Sequence, residues 1–399
     1  MEALDTGASP GISLRLTGIV AVGAAVLAVA TGAQGTGAAH RAVAALIVPA
    51  LVALVIAAGV AHRAMLPAAL TALALILVAA AVTERGAHVA LAALGLAATA
   101  RLAAMSFRGQ RLPRGAATDY LMLTKPRIMA LLLLTGACGM VVGAQGMPPA
   151  GRFVPTLVGL ALACGGASAL NHVLDRDLDR LMGPRTERRP VAAGRLAAPR
   201  ALEFGLVLSA ASFTLLASTV NLLTALLALG GNLFYVCVYT GYLKRRGPAN
   251  IVVGGAAGAV PPIVGYAAAT GSLGLPAVWL FVIVFLWTPP HFWSLALLLK
   301  DHYAAARVPM LPVVSGERRT TRRIVGYTVV LVAFSAVPYL AGSFGLLYGA
   351  AAAVLGAVFI ALAVRLGRRA GRATASLAFH YSLLYLALLF VAAAADVAV

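Results

Sequence analysis

Residues 154–179 read VPTLVGLALACGGASALNHVLDRDLD, an apolar run that passes directly into a row of polar and acidic residues. The run is about 20 residues long, and an α-helix of that length crosses roughly 30 Å of hydrocarbon. Asn and Asp are costly inside a bilayer and are usually functional where they occur there. This stretch therefore predicts a membrane-spanning helix that carries functional side chains at one end.

The composition extends that prediction to the whole chain. Apolar residues make up 61% of the 399 residues and charged residues only 11%, which is typical of a protein whose solvent is lipid. We expect an all-α polytopic membrane protein. From residue 128 onward, apolar runs predict nine transmembrane helices, at 128–146, 154–173, 201–219, 221–242, 250–270, 276–299, 324–342, 345–364 and 377–395.

Further apolar runs precede these nine. They predict about four more transmembrane helices, at 13–33, 42–61, 66–83 and 87–105. We therefore divide the chain into two parts: residues 1–110 form a four-helix transmembrane extension of unknown role, and residues 117–399 form the nine-helix domain.

The formal net charge of +19 would suggest a nucleic-acid partner in a soluble protein. Here the basic residues lie in alternate loops. Seven arginines lie in the 174–200 loop, whereas the opposite loops carry only Arg152. By the positive-inside rule the basic loops face the cytoplasm. We predict a multi-pass protein of the cell membrane with these loops on the cytoplasmic side, no nucleic-acid partner, and some attraction for anionic substrates and lipid headgroups.

The acidic residues cluster at the end of the 154–173 span. At about 100° per residue, Asn171, Asp175 and Asp179 lie on one helix face, and Asp177 points away. Stacked carboxylates repel unless a cation joins them, and Mg²⁺ usually takes one or two carboxylates together with waters and substrate phosphates. The alternative is a solvated helix end with surface ion pairs. The direct continuation from an apolar run favours a magnesium site instead.

This row and the residues after it, 185–190, resemble the first aspartate-rich motif of the UbiA superfamily of intramembrane prenyltransferases. The resemblance covers about residues 117–396 and implies a nine-helix UbiA-type bundle with a central cavity that opens toward the cytoplasmic side. Five further segments resemble, in order, the branch of the superfamily that farnesylates heme: 124–127, 239–244, 250–262, 286–293 and 308–313.

The resemblance implies that farnesyl diphosphate and heme b are the substrates, that Mg²⁺ is the cofactor and that heme O is the product. Heme A synthase and the assembly of a terminal oxidase stay open as partners. Carried over by position, Asn171, Asp175 and Asp179 would hold the metal, and Lys244 would join them as a catalytic residue. The candidate partners of the diphosphate are Lys125, Arg127, Arg176 and Arg185.

The superfamily normally has a second acidic motif facing the first, and here the matching residues are 300–303, which read KDHY. Asp301 is the only acid that we assign there, because His302 replaces an expected Asp. A second magnesium therefore stays open. His302 is a candidate neutral ligand or proton donor near the diphosphate.

His291 follows Pro289 and Pro290 inside a span, where we expect the prolines to break the helix. We interpret His291 as a contact of heme or its propionates, with a hydrogen bond to a neighbouring helix as the alternative. Trp293, together with Trp287 and Phe292, is predicted to offer an aromatic face to a carbocation. His172 stays open between a heme contact and packing.

Two other functions are weighed against this one. A UbiA-type enzyme acting on a quinone precursor or a lipid would share the first motif, but the 250–262 and 286–293 segments resemble the heme branch. A transporter built from inverted repeats should show matching broken helices in its two halves, and we find no convincing repeat of that kind. In the extension, His-Arg pairs at 40–41 and 62–63 are interpreted as interfacial anchors, with a faint resemblance to heme A synthase as the alternative.

Overall fold

The computed structural model describes residues 116–399, except for the side chains of residues 116 and 185. The extension 1–110 and its four predicted helices lie outside these described residues. Within residues 116–399, nine helices are long and apolar enough to cross a membrane. They are α1 (Pro126–Ala144), α2 (Ala150–Leu174), α3 (Ala198–Thr219), α4 (Leu222–Arg245), α5 (Asn250–Thr270), α6 (Leu275–Leu298), α7 (Leu311–Leu340), α8 (Leu346–Arg368) and α9 (Arg372–Ala398).

The predicted all-α architecture is confirmed, and each of the nine predicted spans falls on one of these helices. The largest difference is in α7, which begins at Leu311 although the apolar run begins only at 324. Residues 315–323, SGERRTTRR, are helical but strongly basic, so hydropathy alone does not reveal them. Gly316, with a φ of 76°, makes a kink near the start of α7.

Two helices of the bundle meet almost backbone to backbone. Gly139 and Gly143 of α1 face Pro262 and Tyr266 of α5, and a Cβ at Gly143 would lie 2.9 Å from the Tyr266 carbonyl oxygen. Small residues allow such close approach, which drives helix association where lipid offers no hydrophobic gain. A core of buried aromatic and aliphatic side chains then joins α1, α5 and α6 to α7, α8 and α9.

The connections at one end of the bundle position the functional residues. Short helices Arg176–Leu181 and Pro184–Glu187 follow α2, and helix Lys300–Ala305 follows α6. A second core, which includes Met182, Ile251 and Trp293, packs these connections against the bundle. α4 contributes through an irregular end, because Phe234–Tyr242 is π-helical and Leu243–Arg245 is a 3₁₀ turn. Such π-helical segments are frequent at functional sites.

Candidate active site

The acidic row is buried at the end of α2. Asn171, Asp175 and Asp179 are 3%, 0% and 1% exposed, whereas the Asp177 side chain is 81% exposed. α2 ends at Leu174, but the backbone N–H groups of Asp175 and Asp179 still donate to the carbonyls four residues earlier, each at 2.8 Å. The row therefore stays on one face across the helix junction. The predicted face is confirmed, and so is the outward direction of Asp177.

Each member of the row contacts a cation from a different part of the chain. Lys125 Nζ donates to Asn171 Oδ1 at 2.8 Å, just before α1. Lys244 Nζ, at the end of α4, lies 2.5 Å from Asp175 Oδ2. A third cation comes from the loop after α2, where Arg189 Nη1 lies 2.6 Å from Asp179 Oδ1. These contacts gather three cations around two carboxylates, and this excess of positive charge suits an anionic ligand.

Burial shifts the pKa values of a basic and an acidic group outside the spans in opposite directions. It lowers the pKa of the Lys125 ammonium to about 7, and the charges of Arg189 and Lys244 lower it further. It also raises the pKa of the Asp179 carboxyl, against the effect of Arg189. In both cases the charged form is destabilised, so a bound ligand of opposite charge would stabilise it.

The residues of the row fit a magnesium ion. Asp175 Oδ1 and Asp179 Oδ2 are buried and have no hydrogen-bond partner within the part of the chain that the structure describes. Unpaired buried oxygens are costly, and a hard cation would satisfy them. Between residues 116 and 399 no cluster of three His, Cys, Asp or Glu side chains could hold a metal ion. The protein would therefore supply two carboxylates and an amide, and leave further positions for phosphate oxygens.

A second polar group lies on α6. The expected break at Pro289 and Pro290 was wrong, because α6 runs without interruption from Leu275 to Leu298. Proline removes a backbone donor, but a helix packed among neighbours tolerates that loss. His291 therefore occupies a regular helical position. Its ring stacks between Trp287 and Phe379, with ring centroids at 4.2 Å and 4.7 Å.

The hydrogen bonds of Ser382, on α9, determine the tautomer of His291. Ser382 Oγ donates its single hydrogen to the Phe379 carbonyl at 2.6 Å, so it can only accept from His291 Nδ1, which lies 2.7 Å away. Nδ1 therefore carries the proton and Nε2 carries a lone pair. Within the described residues Nε2 has no hydrogen-bond partner. The hydrogen bond to a neighbouring helix, one of the two interpretations of His291, is present, and it leaves the other ring nitrogen available to a ligand.

The sequence of the chain matches a known protein family and several of its members. Residues 132–392 match the model of the UbiA prenyltransferase family. The chain belongs to the UbiA prenyltransferase family. A protoheme IX farnesyltransferase from Symbiobacterium thermophilum is 53% identical over 281 residues, which cover 70% of this chain and 94% of that protein. A second one, from Roseiflexus castenholzii, is 49% identical, and there the chain spans 52% of the relative's length.

Solved structures support the same fold for this UbiA-family chain. A digeranylgeranylglyceryl phosphate synthase matches with a TM-score of 0.60 at 18% identity, covering 71% of this chain and 98% of that one. A UbiA homologue from Archaeoglobus fulgidus, bound to DMAPP and Mg²⁺, matches with a TM-score of 0.51 at 19% identity, covering 69% and 98%. Membership of a prenyltransferase family favours an enzyme over a transporter.

The structure brings together some of the predicted diphosphate residues of this UbiA-family chain and not others. Lys125 and Lys244 contact the row. Arg176 instead lies 3.6 Å from the outward-facing Asp177, with 44% of its side chain exposed. Arg127 is exposed at the start of α1. The side chain of Arg185 is outside what the structure describes. Arg189, which sequence reasoning did not assign, makes the contact with Asp179, and the arginines around Pro190 were the only signal for it.

The residues of the second motif, 300–303, differ in their exposure and in the charges that act on them. Asp301 and His302 are exposed, and among the described residues no hydrogen bond or ion pair joins either of them to the row. The His302 ring lies against Gly183, where a Cβ would be 2.7 Å from His302 Cδ2. Tyr303 is half-buried, and the charges of Arg189 and Asp175 act on it while burial raises the pKa of its hydroxyl. Among the four residues of KDHY, Tyr303 is the one on whose hydroxyl the charges of Arg189 and Asp175 act.

The aromatic residues differ in what they contact. Trp293 is 1% exposed and packs edge-on against Tyr327 with ring centroids 5.2 Å apart. Its indole Nε1 is buried and has no hydrogen-bond partner among the described residues. Trp287 donates through Nε1 to the Ser382 carbonyl at 2.7 Å. Phe292 meets the His291 ring edge-on. Trp293 therefore lies with the core next to the acidic row, and Trp287 belongs with His291.

Proposed function

We propose that this chain transfers the farnesyl group of farnesyl diphosphate to the vinyl group of heme b and so forms heme O. The observation that carries the proposal is the buried row with two unpartnered carboxylate oxygens and three facing cations, a set that suits a magnesium diphosphate. The relatives of about 50% identity named protoheme IX farnesyltransferase support the choice of substrates.

On the donor side, Asn171, Asp175 and Asp179 hold Mg²⁺, and Lys125, Lys244 and Arg189 bind the diphosphate. When bound, Mg²⁺ neutralises negative charge on the leaving diphosphate. The C1–O bond breaks and the diphosphate leaves with the electron pair. The ammonium and guanidinium groups stabilise that charge more strongly in the transition state than in the bound substrate, which accelerates the step. Lys244 is then a catalytic residue because it touches the substrate.

On the acceptor side, heme b lies against His291, whose Nε2 lone pair is available and whose ring is held by Trp287 and Phe379. The terminal vinyl carbon forms a bond to farnesyl C1. Water adds to the resulting cation and loses a proton, which leaves a hydroxyethylfarnesyl group. Before that step, buried aromatic residues such as Trp293 keep water away from the farnesyl cation.

The site lies where the basic loops lie, and we place these loops on the cytoplasmic side of the cell membrane. We propose heme A synthase or terminal oxidase assembly as partners, and residues 1–110 as a transmembrane extension of unknown role. A quinone precursor or a lipid as acceptor is the alternative. The likeness to a lipid-forming synthase at 18% identity concerns the fold alone and does not favour that alternative.

The test uses the purified full-length chain in detergent with heme b, farnesyl diphosphate and Mg²⁺. Mass spectrometry should detect a heme whose mass has increased by a farnesyl group plus a hydroxyl group. Parallel reactions replace heme b with 4-hydroxybenzoate or a glycerol phosphate lipid. A prenylated product in those reactions, without a new heme, would overturn the proposed acceptor.

A further inference from the structure

We propose that His172 binds the diphosphate of the prenyl donor, as a hydrogen-bond donor in addition to the residues of the row. The inference rests on the proposed function, because it assumes that a prenyl diphosphate occupies the site. It concerns a residue that the row motif does not include.

The position of His172 places it with the carboxylates. His172, Asp175 and Asp179 are spaced by three and four residues, so they share a helix face. The backbone bond from Asp179 N–H to the Asp175 carbonyl continues that face beyond the end of α2. At 2% exposure the imidazole is as deeply buried as the row itself.

The imidazole ring of His172 makes no hydrogen bond to the described residues. Both His172 Nδ1 and His172 Nε2 are buried and find no hydrogen-bond partner among residues 116–399. A neutral imidazole always carries one N–H donor and one acceptor, and burying both unpaired lowers stability. Buried polar groups in native proteins are nearly always hydrogen-bonded, so such a group indicates a ligand, a water or a functional role. By contrast, His291 is also buried but has its Nδ1 bonded to Ser382.

The surrounding charges indicate which ligand satisfies it. Lys125, Arg189 and Lys244 all act electrostatically on the imidazole, and these are the three cations that contact the row. Because these cations contact side chains on the same helix face as His172, an anion that they bind would lie at that face. Mg²⁺ prefers oxygen ligands, so the ring is better suited to donate to a phosphate oxygen than to coordinate the metal.

The first test measures binding without chemistry. The full-length chain in detergent is titrated with farnesyl S-thiolodiphosphate, an unreactive analogue, and Mg²⁺ by isothermal calorimetry. His172→Leu removes the donor and should weaken binding about tenfold or more, as expected for a hydrogen bond to a charged group. His172→Gln keeps an N–H donor and should bind within about threefold of the wild type. His380→Leu, a change at an exposed histidine on α9, serves as the control and should bind like the wild type.

The second test separates binding from structural support. Because His172→Leu removes two unpartnered buried nitrogens, the melting temperature of the ligand-free protein should stay the same or rise. His291→Leu, which breaks the bond to Ser382, should lower it. Unchanged affinity for the analogue in His172→Leu overturns the inference. So does weaker binding accompanied by a lower melting temperature, since that result assigns His172 a packing role.

The two proposals fail separately. Analogue binding is measured without heme, so it reports on His172 whatever the acceptor is. Formation of heme O by the wild-type chain tests the proposed function alone.

Discussion

The acidic row at the end of α2 and the histidine cluster on α6 and α9 are both buried, but they are completed in different ways. In the row, cations from three segments contact the carboxylates, and oxygens on Asp175 and Asp179 remain unpartnered. In the cluster, Ser382 and two aromatic rings hold His291 in one orientation and one tautomer. The buried oxygens of the row therefore need a ligand to bind them, whereas the side chains of the cluster hold His291 in place without a ligand. Four experiments test this contrast, beginning with the largest expected effect.

Removing divalent metal should affect the row alone. Treatment with EDTA should reduce heme O formation below detection, because the diphosphate would leave with uncompensated charge. Added Mg²⁺ should restore it. Binding of heme b, followed by its Soret absorbance, should be unchanged by EDTA. Persistent activity in EDTA would contradict the magnesium site, and loss of heme binding would contradict the separation of the two regions.

Asp175→Asn keeps the volume of the side chain but removes its charge. We expect kcat/KM for heme O formation to fall about 10³-fold, the scale on which electrostatic contributions to a transition state are lost. Asp177→Asn is the matched control, since Asp177 is two residues away and largely exposed, and it should retain wild-type activity. Equal losses of activity in the two variants would show that burial does not distinguish the role of Asp175 from that of Asp177.

Ser382→Ala removes the acceptor that keeps the proton on His291 Nδ1. Residues that orient a ligand through a hydrogen bond typically contribute ten- to a hundredfold, so the affinity for heme b should fall about tenfold. Affinity for farnesyl S-thiolodiphosphate should not change. Ser376→Ala, on the same helix and beside the exposed His380, is the control. Wild-type heme affinity in Ser382→Ala would mean that the tautomer of His291 is irrelevant to the acceptor.

Trp287→Phe keeps a ring against His291 but removes the donor to the Ser382 carbonyl. Losing this one buried hydrogen bond should lower the free energy of unfolding by about 1 kcal/mol. Thermal unfolding in detergent measures this effect. Heme affinity should change less than about threefold. A larger change in heme affinity than in stability would show that the indole N–H itself contributes to the acceptor site.

Several features of the site follow from local sequence. Helical periodicity placed Asn171, Asp175 and Asp179 on one face and Asp177 on another, because an i, i+4 relation holds wherever the helix continues. Asp301 and Arg176 show where that reasoning ends. Both were assigned from motif position, but Arg176 pairs with the outward-facing Asp177, and Asp301 is exposed without a hydrogen bond or ion pair to the row among the described residues. Side-chain directions there depend on how two connecting loops pack.

The sequence by itself determined the membrane class, the nine spans from residue 128 onward and the buried face of the row, because these depend on hydropathy and on the regular geometry of a helix. Only the tertiary structure decided that Arg189 faces Asp179, that the charges of Arg189 and Asp175 act on Tyr303, and that Ser382 orients His291. Those contacts join residues on different elements, in one case 91 positions apart, and depend on how the helices and loops pack together. The unpartnered nitrogens of His172 belong to the same class, since a missing partner is visible only when all neighbours are in place.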